Sequence, residues 1–313
     1  MGAYVVRRLG WAVVVLFAIA MVTFTVTYIL PADPARMIAG IRATADDVDR
    51  IRHALGLDQP FLVQLTQYVG RLLQGDFGHS YIQHRDVLSL ILERFPATLQ
   101  LAAAGLFVEL AIGLPLGVFA ATRKGTWSDR SSTVMTILFV SAPSFLVGYL
   151  LLNFLAFQPQ LLAHVEIFPI GGYKPLDLRY LALPAITLGF SGAAYYTRLT
   201  RTAMIDELAK DYVRTAQAKG LRARAVLWRH AFRNAFGPVL SQMGLDLGFF
   251  LGGVVVVERV FSWPGIGKLA VDSIVTADVP LILGTVVFGT LCIVLANLAV
   301  DVAQVVIDPR IRQ

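Results

Sequence analysis

The chain has 313 residues, of which 56 % are hydrophobic and only 15 % are charged, and its mean hydropathy is +0.66. Because a soluble globular domain carries about 25 % charged residues, this composition predicts an integral membrane protein. The net charge of +6 is concentrated in one loop, where membrane orientation explains it better than nucleic-acid binding does. Cys292 is the single cysteine, which excludes an intrachain disulfide and a cysteine metal site and is expected to be a packing residue.

The first predicted element is an apolar run over residues 9–30, preceded by Arg7 and Arg8. A signal peptide also begins with positive charge, but its apolar core has only about 7–15 residues. This longer run suffices to span the hydrocarbon core of a bilayer. We therefore predict an uncleaved first transmembrane helix (TM1, 9–30) with its N-terminus in the cytoplasm.

A polar segment follows over residues 31–97 and predicts an external insertion. It holds seven basic and eight acidic residues, and helical spacing of leucines and valines predicts short helices over 46–57 and 59–73. His79 and His84 lie five residues apart, which is poor spacing for a helical metal pair. A surface loop is therefore favoured over a metal site.

The remainder, residues 98–313, is predicted to form the main membrane core, with five further spans. We predict TM2 over 98–122, TM3 over 134–157, TM4 over 181–197, TM5 over 239–257 and TM6 over 280–307. TM4 is short, which suits a helix that continues into the following polar loop. Lys and Arg residues flank the short loops so that six spans place both termini in the cytoplasm.

The polar loop over residues 198–238 holds nine Lys or Arg residues against three acids, which places it in the cytoplasm. Residues 206–219 are rich in good helix formers, and Gly220 stands where a glycine with positive φ ends a helix. An amphipathic helix is predicted next, over about 222–236. Its apolar stripe comprises Ala225, Trp228, Phe232 and Phe236. This helix–glycine–helix pattern predicts a docking element.

The motifs RTAQAKG and RHAFRNAFGP in this loop resemble the cytoplasmic loop of permease subunits of bacterial ABC importers. The resemblance is to the branch that imports peptides and nickel, with Arg214-Thr215-Ala216 at the signature positions and Gly220 four residues later. The segments LGLDQPFLVQ, GDFGHSY and VFSWPGIG, and the terminal Asp308-Pro309-Arg310, resemble further motifs of that branch. The resemblance therefore covers nearly the whole chain.

This resemblance implies an all-α integral membrane protein of the type I ABC importer permease fold, in the bacterial inner membrane. It implies that the loop inserts a helix into a groove of a cytoplasmic ATPase. The implied coupling residues are Arg214, Thr215, Ala216, Lys219, Gly220, Trp228, Arg229, His230, Arg233 and Asn234. The implied partners are a second homologous permease, two cytoplasmic ATPases that bind ATP and Mg²⁺, an extracytoplasmic binding protein and membrane lipid. The implied cargo is di- or oligopeptides, with nickel as the alternative.

No catalytic motif is visible in the chain. Gly267-Lys268 is the nearest approach to a phosphate-binding loop, but Ser262 and Leu269 stand where that loop needs a glycine and a Ser or Thr. We therefore predict a non-catalytic subunit that holds no cofactor of its own and no metal ligands.

Three acids are predicted within spans, namely Glu109, Asp246 and Asp301. A charge in hydrocarbon is costly, so such residues face protein or a water-filled path. Asp246 lies among the glycines of TM5 and is the first candidate for the translocation path, with Glu109 second; a helix-packing contact is the alternative. A self-contained secondary transporter is the competing class, but it predicts inverted repeats or several embedded charges, and neither is evident.

Overall fold

The computed structural model describes residues 2–29, 33–40, 42–127 and 141–307, together with positions 129, 131, 134, 136 and 138. Within these residues the chain is mostly helical and contains no β-strand; an isolated antiparallel bridge joins His79 to Asp86. The Asp308-Pro309-Arg310 motif and positions 135, 137, 139 and 140 of predicted TM3 lie outside the described residues.

In chain order, fourteen α-helices have both of their ends among the described residues. They are α1 (Gly2–Ile29), α2 (Pro34–Ala39), α3 (Ala45–Ala54), α4 (Phe61–Leu73), α5 (Val87–Thr122), α6 (Ser144–Leu151), α7 (Gln158–Ala163), α8 (Leu178–Leu208), α9 (Asp211–Ala218), α10 (Ala223–Ala225), α11 (Arg233–Leu251), α12 (Val255–Val260), α13 (Ile266–Val275) and α14 (Val279–Ile307). Two π-helical segments, Leu152–Phe157 and Val226–Phe232, join α6 to α7 and α10 to α11.

Four described stretches are long and apolar enough to cross a membrane. They are Gly10–Ile29, Val87–Thr122, Ser144–Ala163 and Val279–Val302. The predicted fourth and fifth spans lie in α8 and α11, which contain more polar residues. The short predicted TM4 (181–197) is expected to continue as a helix into the polar loop. Helix α8 does so, since it extends to Leu208.

The predicted start of TM2 and the predicted end of TM5 differ from the helices observed. The helix that contains TM2 begins at Val87, eleven residues before the predicted start, so it includes the end of the predicted insertion. Predicted TM5 extends to Val257, whereas α11 ends at Leu251. The reason is Gly253, which has φ +108, a conformation that glycine adopts at little cost. A Cβ on Gly253 would also lie 2.7 Å from the backbone of Gly267.

The first of two compact units comprises Met1–Thr98, Leu251–Val255 and Pro264–Leu295. Helix α4 packs its buried Leu65 and Tyr68 against α1 and α14, through Ala20, Phe24, Leu283 and Val287. A second cluster joins the start of α5 to α13 and α14 and comprises Val87, Leu90, Ile91, Ile266, Leu269, Leu281, Phe288 and Cys292. Burial of Cys292 here confirms its predicted packing role.

A buried carboxylate ties the loop before α5 to the start of α14 in this unit. Asp278 accepts hydrogen bonds from the Ser80 hydroxyl, from the backbone N–H of Tyr81 at 3.1 Å and from that of Ile82 at 3.4 Å. Asp278 is only 1 % exposed, and three donors offset the cost of burying its charge. The end of the insertion is therefore held against α14.

The second unit comprises Leu99–Phe250, Val256–Trp263 and Ala296–Gln313, and it depends on close contact between α5 and α8. A Cβ on Gly113 would lie 2.5 Å from the Tyr196 Cβ and 2.8 Å from the carbonyl oxygen of Ala193. A Cβ on Gly117 would lie 2.6 Å from the Thr200 Cβ. Small residues permit this backbone approach, which maximises van der Waals contact between helices in lipid.

An ion pair closes one end of this helix pair. Arg201 of α8 donates two hydrogen bonds to Asp129, at 2.5 and 2.8 Å, and the N–H of Gly125 donates a third at 2.9 Å. The bonds from Arg201 and Gly125 lower the pKa of Asp129 from 3.8 to about 2. The carboxylate therefore stays ionised at physiological pH, and its contribution to stability is lost only as the pH falls through about 2.

We predict that Gly113→Ala destabilises the protein, because the added methyl meets backbone that cannot move alone. Overpacking of this kind costs about 1–3 kcal/mol. Gly237→Ala is the matched control, since no atom lies within 4 Å of a Cβ at that helical position. The measurement is the thermal unfolding midpoint of each variant in detergent. A midpoint for Gly113→Ala equal to that of Gly237→Ala would contradict the packing account.

Candidate functional site

Residues 209–232, between α8 and α11, form a compact helical hairpin that we call the bracket. Its first arm is α9, its second arm is the π-helical segment Val226–Phe232, and Gly220 lies at the turn between them. Predicted helix 206–219 is in fact split, because α8 ends at Leu208 and α9 begins at Asp211. After α9, Gly220 has φ +75, and its N–H donates to the carbonyl of Gln217 at 2.9 Å. The predicted positive φ of Gly220 is confirmed. No atom lies within 4 Å of a Cβ at Gly220, so backbone conformation, and not space, favours glycine there.

The bracket has a small apolar core of its own. Val213 and Ala216 of α9 pack against Val226 of the π-helical segment, with Leu208 and Tyr212 at the edge. We expected the small side chain of Ala216 to allow close contact with a partner protein. Instead Ala216 is only 6 % exposed, so its size serves packing between the two arms of the bracket. The partner-facing role expected for Ala216 is therefore replaced by an internal one.

Tyr212 connects the two arms through polar contacts. Its hydroxyl donates to Glu207 Oε2 at 2.6 Å and accepts from Asn234 Nδ2 at 3.0 Å. Lys210 Nζ also lies 2.5 Å from Glu207 Oε1. Burial, followed by the hydrogen bond to Glu207, raises the pKa of Tyr212, so the hydroxyl stays neutral and can donate. Sequence reasoning missed Tyr212 as a positioning residue, although it lies two residues before the signature residues.

The outer surface of the bracket is basic, with two large apolar side chains. Arg214, Thr215, Lys219, Gly220, Arg229, Arg233 and Asn234 are exposed, and His230 is half-buried. Trp228 is 45 % exposed and Leu221 is 44 % exposed. Leu221 follows the turn glycine and was not among the sequence candidates. The structure thus brings every predicted loop residue except Ala216 at least partly to the surface.

The predicted apolar stripe is present along the second arm. The Trp228 and Phe232 rings lie 5.1 Å apart, and the Phe232 and Phe236 rings 5.8 Å apart. Ala231 and Ala235, next to these rings, are buried against Met204 of α8 and Val118 of α5. One side of the second arm therefore packs against α5 and α8, and Trp228 at its start remains exposed to solvent.

A polar cluster lies deeper in the same unit, where α5, α8 and α11 meet. Asp246 accepts hydrogen bonds from the Tyr196 hydroxyl at 2.6 Å and from Gln242 Nε2 at 2.9 Å. Glu109 is only 3 % exposed and lies over Gly192, and no described group is hydrogen-bonded to its Oε2. The Glu109 and Asp246 carboxyls are close enough to interact electrostatically. Two of the three acids predicted within spans thus form one cluster.

The third acid, Asp301, lies near the end of α14. Its neighbour Val300 packs against Gly244 of α11, where a Cβ would lie within 2.7 Å of three Val300 atoms. Gly244 therefore has the close-packing role that the glycines of TM5 predicted. Among the described residues, no group of three or more His, Cys, Asp or Glu is placed to hold a metal ion.

Comparisons with known proteins identify the family of the chain. Residues 113–313 match the family model "Binding-protein-dependent transport system inner membrane component", and residues 1–102 match the model of the N-terminal part of such membrane components. The chain is 38 % identical to the glutathione transport system permease protein GsiC of Escherichia coli K12, over 99 % of this chain and 98 % of the relative. The GsiC protein of Salmonella typhi is 39 % identical over the same shares.

Among solved structures, the chain is similar to the MetNI methionine ABC transporter in an inward-facing conformation. The TM-score is 0.53 at 17 % sequence identity, and the match covers 70 % of this chain and 97 % of the other. At this identity the match shows the fold alone, which is that of an ABC transporter permease. Together with the family models and the GsiC relatives, it shows that the chain belongs to the family of inner membrane components of binding-protein-dependent transport systems.

Proposed function

We propose that this chain is one permease subunit of an ATP-driven importer for short peptides, including glutathione-like tripeptides. It pairs with a second homologous permease and receives cargo from an extracytoplasmic binding protein. Two cytoplasmic ATPases bind ATP and Mg²⁺, and this chain itself catalyses no reaction. Similarity to glutathione permeases supports the cargo class. The bracket between α8 and α11 supports the coupling to ATPases, because it combines a packed core with an exposed basic surface.

The bracket suits force transfer because it directly connects two long helices. Helix α8 runs without a break from Leu178 to Leu208, and α11 begins where the π-helical segment ends. At about 1.5 Å per residue, the bracket lies about 18 Å along α8 from Tyr196 and about 20 Å along α11 from Asp246. A displacement of the bracket by an ATPase is therefore transmitted along two rigid helices to the Tyr196–Asp246 hydrogen bond.

The polar cluster is the proposed point of contact with cargo. Every unmodified peptide carries an α-ammonium group, and the half-buried carboxyl of Asp246 is a suitable acceptor for it, with the buried Glu109 behind it. Asp246 is half-buried in this chain alone, so one side of it is open to a second permease or to the path between the subunits. Cargo binding and bracket movement thus act on the same pair of helices.

The coupling role of the bracket predicts a selective loss in Ala216→Glu. A carboxylate at this buried position faces Val213 and Val226 without a partner, which separates the two arms. We expect uptake, and the stimulation of ATP hydrolysis by loaded binding protein, to fall about tenfold or more, while membrane insertion is retained. Ala209→Glu is the control, because Ala209 is exposed in the same bracket outside α9. Normal stimulated ATPase activity of Ala216→Glu in reconstituted complexes would remove the basis of the coupling proposal.

The six-span arrangement predicts a labelling pattern for single cysteines in a Cys292→Ser background. Cysteines at Asp46 and Lys174 should react with an impermeant maleimide in right-side-out spheroplasts, and cysteines at Thr126 and Thr215 only after permeabilisation. All four positions are exposed. Reaction of the Thr215 cysteine in intact spheroplasts would overturn this orientation.

The polar cluster predicts separate effects for two isosteric variants. Asp246→Asn removes the charge that attracts an ammonium group, so uptake of peptides should fall about tenfold while assembly of the complex stays normal. Tyr196→Phe removes one hydrogen bond but keeps the carboxylate, so uptake should fall less. The measurement is uptake per assembled complex in proteoliposomes. Equal loss of assembled complex in both variants, with uptake per complex unchanged, would favour a packing role instead.

A further inference from the structure

A cavity in the first unit lies outside the bracket and the polar cluster. Its volume is about 660 Å³, and it lies between α3, α4, the loop before α5 and the start of α14. This volume falls in the range of small-molecule sites. Nothing in the transport mechanism above uses it.

The cavity has an apolar end formed by two membrane-spanning stretches. Phe24 belongs to Gly10–Ile29 and Leu283 to Val279–Val302, and both residues line the cavity. Phe24 stacks on Tyr68, with their ring centroids 5.3 Å apart. This end of the cavity therefore lies level with the outer ends of two apolar spans, where acyl chains of the bilayer begin.

The other residues of the cavity include one arginine and several hydrogen-bond donors. Arg71, His79 and His84 line it, and all three are exposed. No described carboxylate forms an ion pair with Arg71. Asp76 is the one carboxylate among the lining residues, and its Oδ1 already accepts the N–H of Gly78 at 2.7 Å. The Arg71 guanidinium is therefore available to an anionic group.

Tyr68 adds a buried hydroxyl to this lining. Burial raises the pKa of Tyr68 to about 12, so the hydroxyl is a neutral donor, and no described group accepts its hydrogen bond. A ligand oxygen that entered the cavity would supply the missing acceptor.

The surface around the cavity indicates contact with a bilayer. On α4, Leu62 is 69 % exposed and Leu73 is 83 % exposed, although Leu65 and Tyr68 of the same helix are buried. A short helix with apolar side chains on its outer surface, next to basic residues, is typical of a helix that lies in the membrane interface.

We propose that this cavity binds an anionic phospholipid of the outer leaflet, with its phosphate at Arg71 and the start of its acyl chains at Phe24 and Leu283. The lipid would fill the space between the insertion and α14, so it would hold the insertion at a fixed height above the membrane. A free phosphate ion shares the chemistry of the head group but not the apolar contacts.

The test uses the assembled transporter exchanged into detergent that contains phosphatidylglycerol, and it counts retained lipid by native mass spectrometry. We expect retained phosphatidylglycerol to fall about tenfold in Arg71→Gln, since a charge-assisted bond is lost. Arg42→Gln is the matched control, because Arg42 is exposed in the same insertion and does not line the cavity. Leu283→Ser should also weaken retention, because it removes an apolar contact.

Three competitors distinguish the possible occupants. Phosphatidylcholine should be retained less than phosphatidylglycerol, and neither inorganic phosphate nor glutathione should displace the bound lipid. Displacement by phosphate alone would show a simple anion site, and displacement by glutathione would show a cargo site; either result overturns the lipid proposal. Equal retention of phosphatidylglycerol by Arg71→Gln and Arg42→Gln overturns it as well. Should Arg71→Gln fail to assemble, retention by Leu283→Ser, compared with that by Arg42→Gln, decides.

Discussion

The close approach of α5 and α8 is the constraint on which the second unit depends. Gly113 and Gly117 remove the side chains that would keep the two helices apart, and backbone atoms of α8 occupy the space instead. Hydrophobic burial gives little driving force between helices inside lipid, so van der Waals contact at this distance has to supply much of the association energy. The same contact line positions Glu109 over Gly192, which has no side chain to displace it. Glycine thus permits both the close packing of the two helices and the position of the Glu109 side chain.

Because α5 and α8 are fixed to each other, the polar side chains along α8 are held in defined positions. Arg201 reaches Asp129 near one end, and Tyr196 reaches Asp246 of α11 farther along the same helix. The bracket then joins α8 to α11 directly. A partner that pushes on the bracket would therefore load two helices that already share a hydrogen bond, and relative sliding of those helices would have to break or lengthen it.

The sequence contained the information for the bracket but not for its interior. Gly220 could be predicted because a glycine after a run of helix formers has one common use, a positive φ at a helix end. The burial of Ala216 could not be predicted, because which side of α9 packs inward depends on the π-helical turn at Val226–Phe232. A π-helical turn shifts the register of side chains and leaves no clear trace in hydrophobic periodicity. The early end of α11 was missed for a related reason, since Gly253 was interpreted as a packing glycine like Gly244.

Polar contacts across long sequence separations were equally invisible. The hydrogen bonds of Asp278 to Ser80 and to the two residues that follow it span nearly 200 positions, and no local pattern marks either partner. Asp246 was recognised because an acid among apolar residues is conspicuous, whereas Tyr196 was not, because a tyrosine in a membrane helix is ordinary. Tyrosine and serine become informative only when the fold brings a carboxylate to them. In this chain, therefore, the acids can be found from the sequence, and the structure is needed to show which donors each acid holds in place.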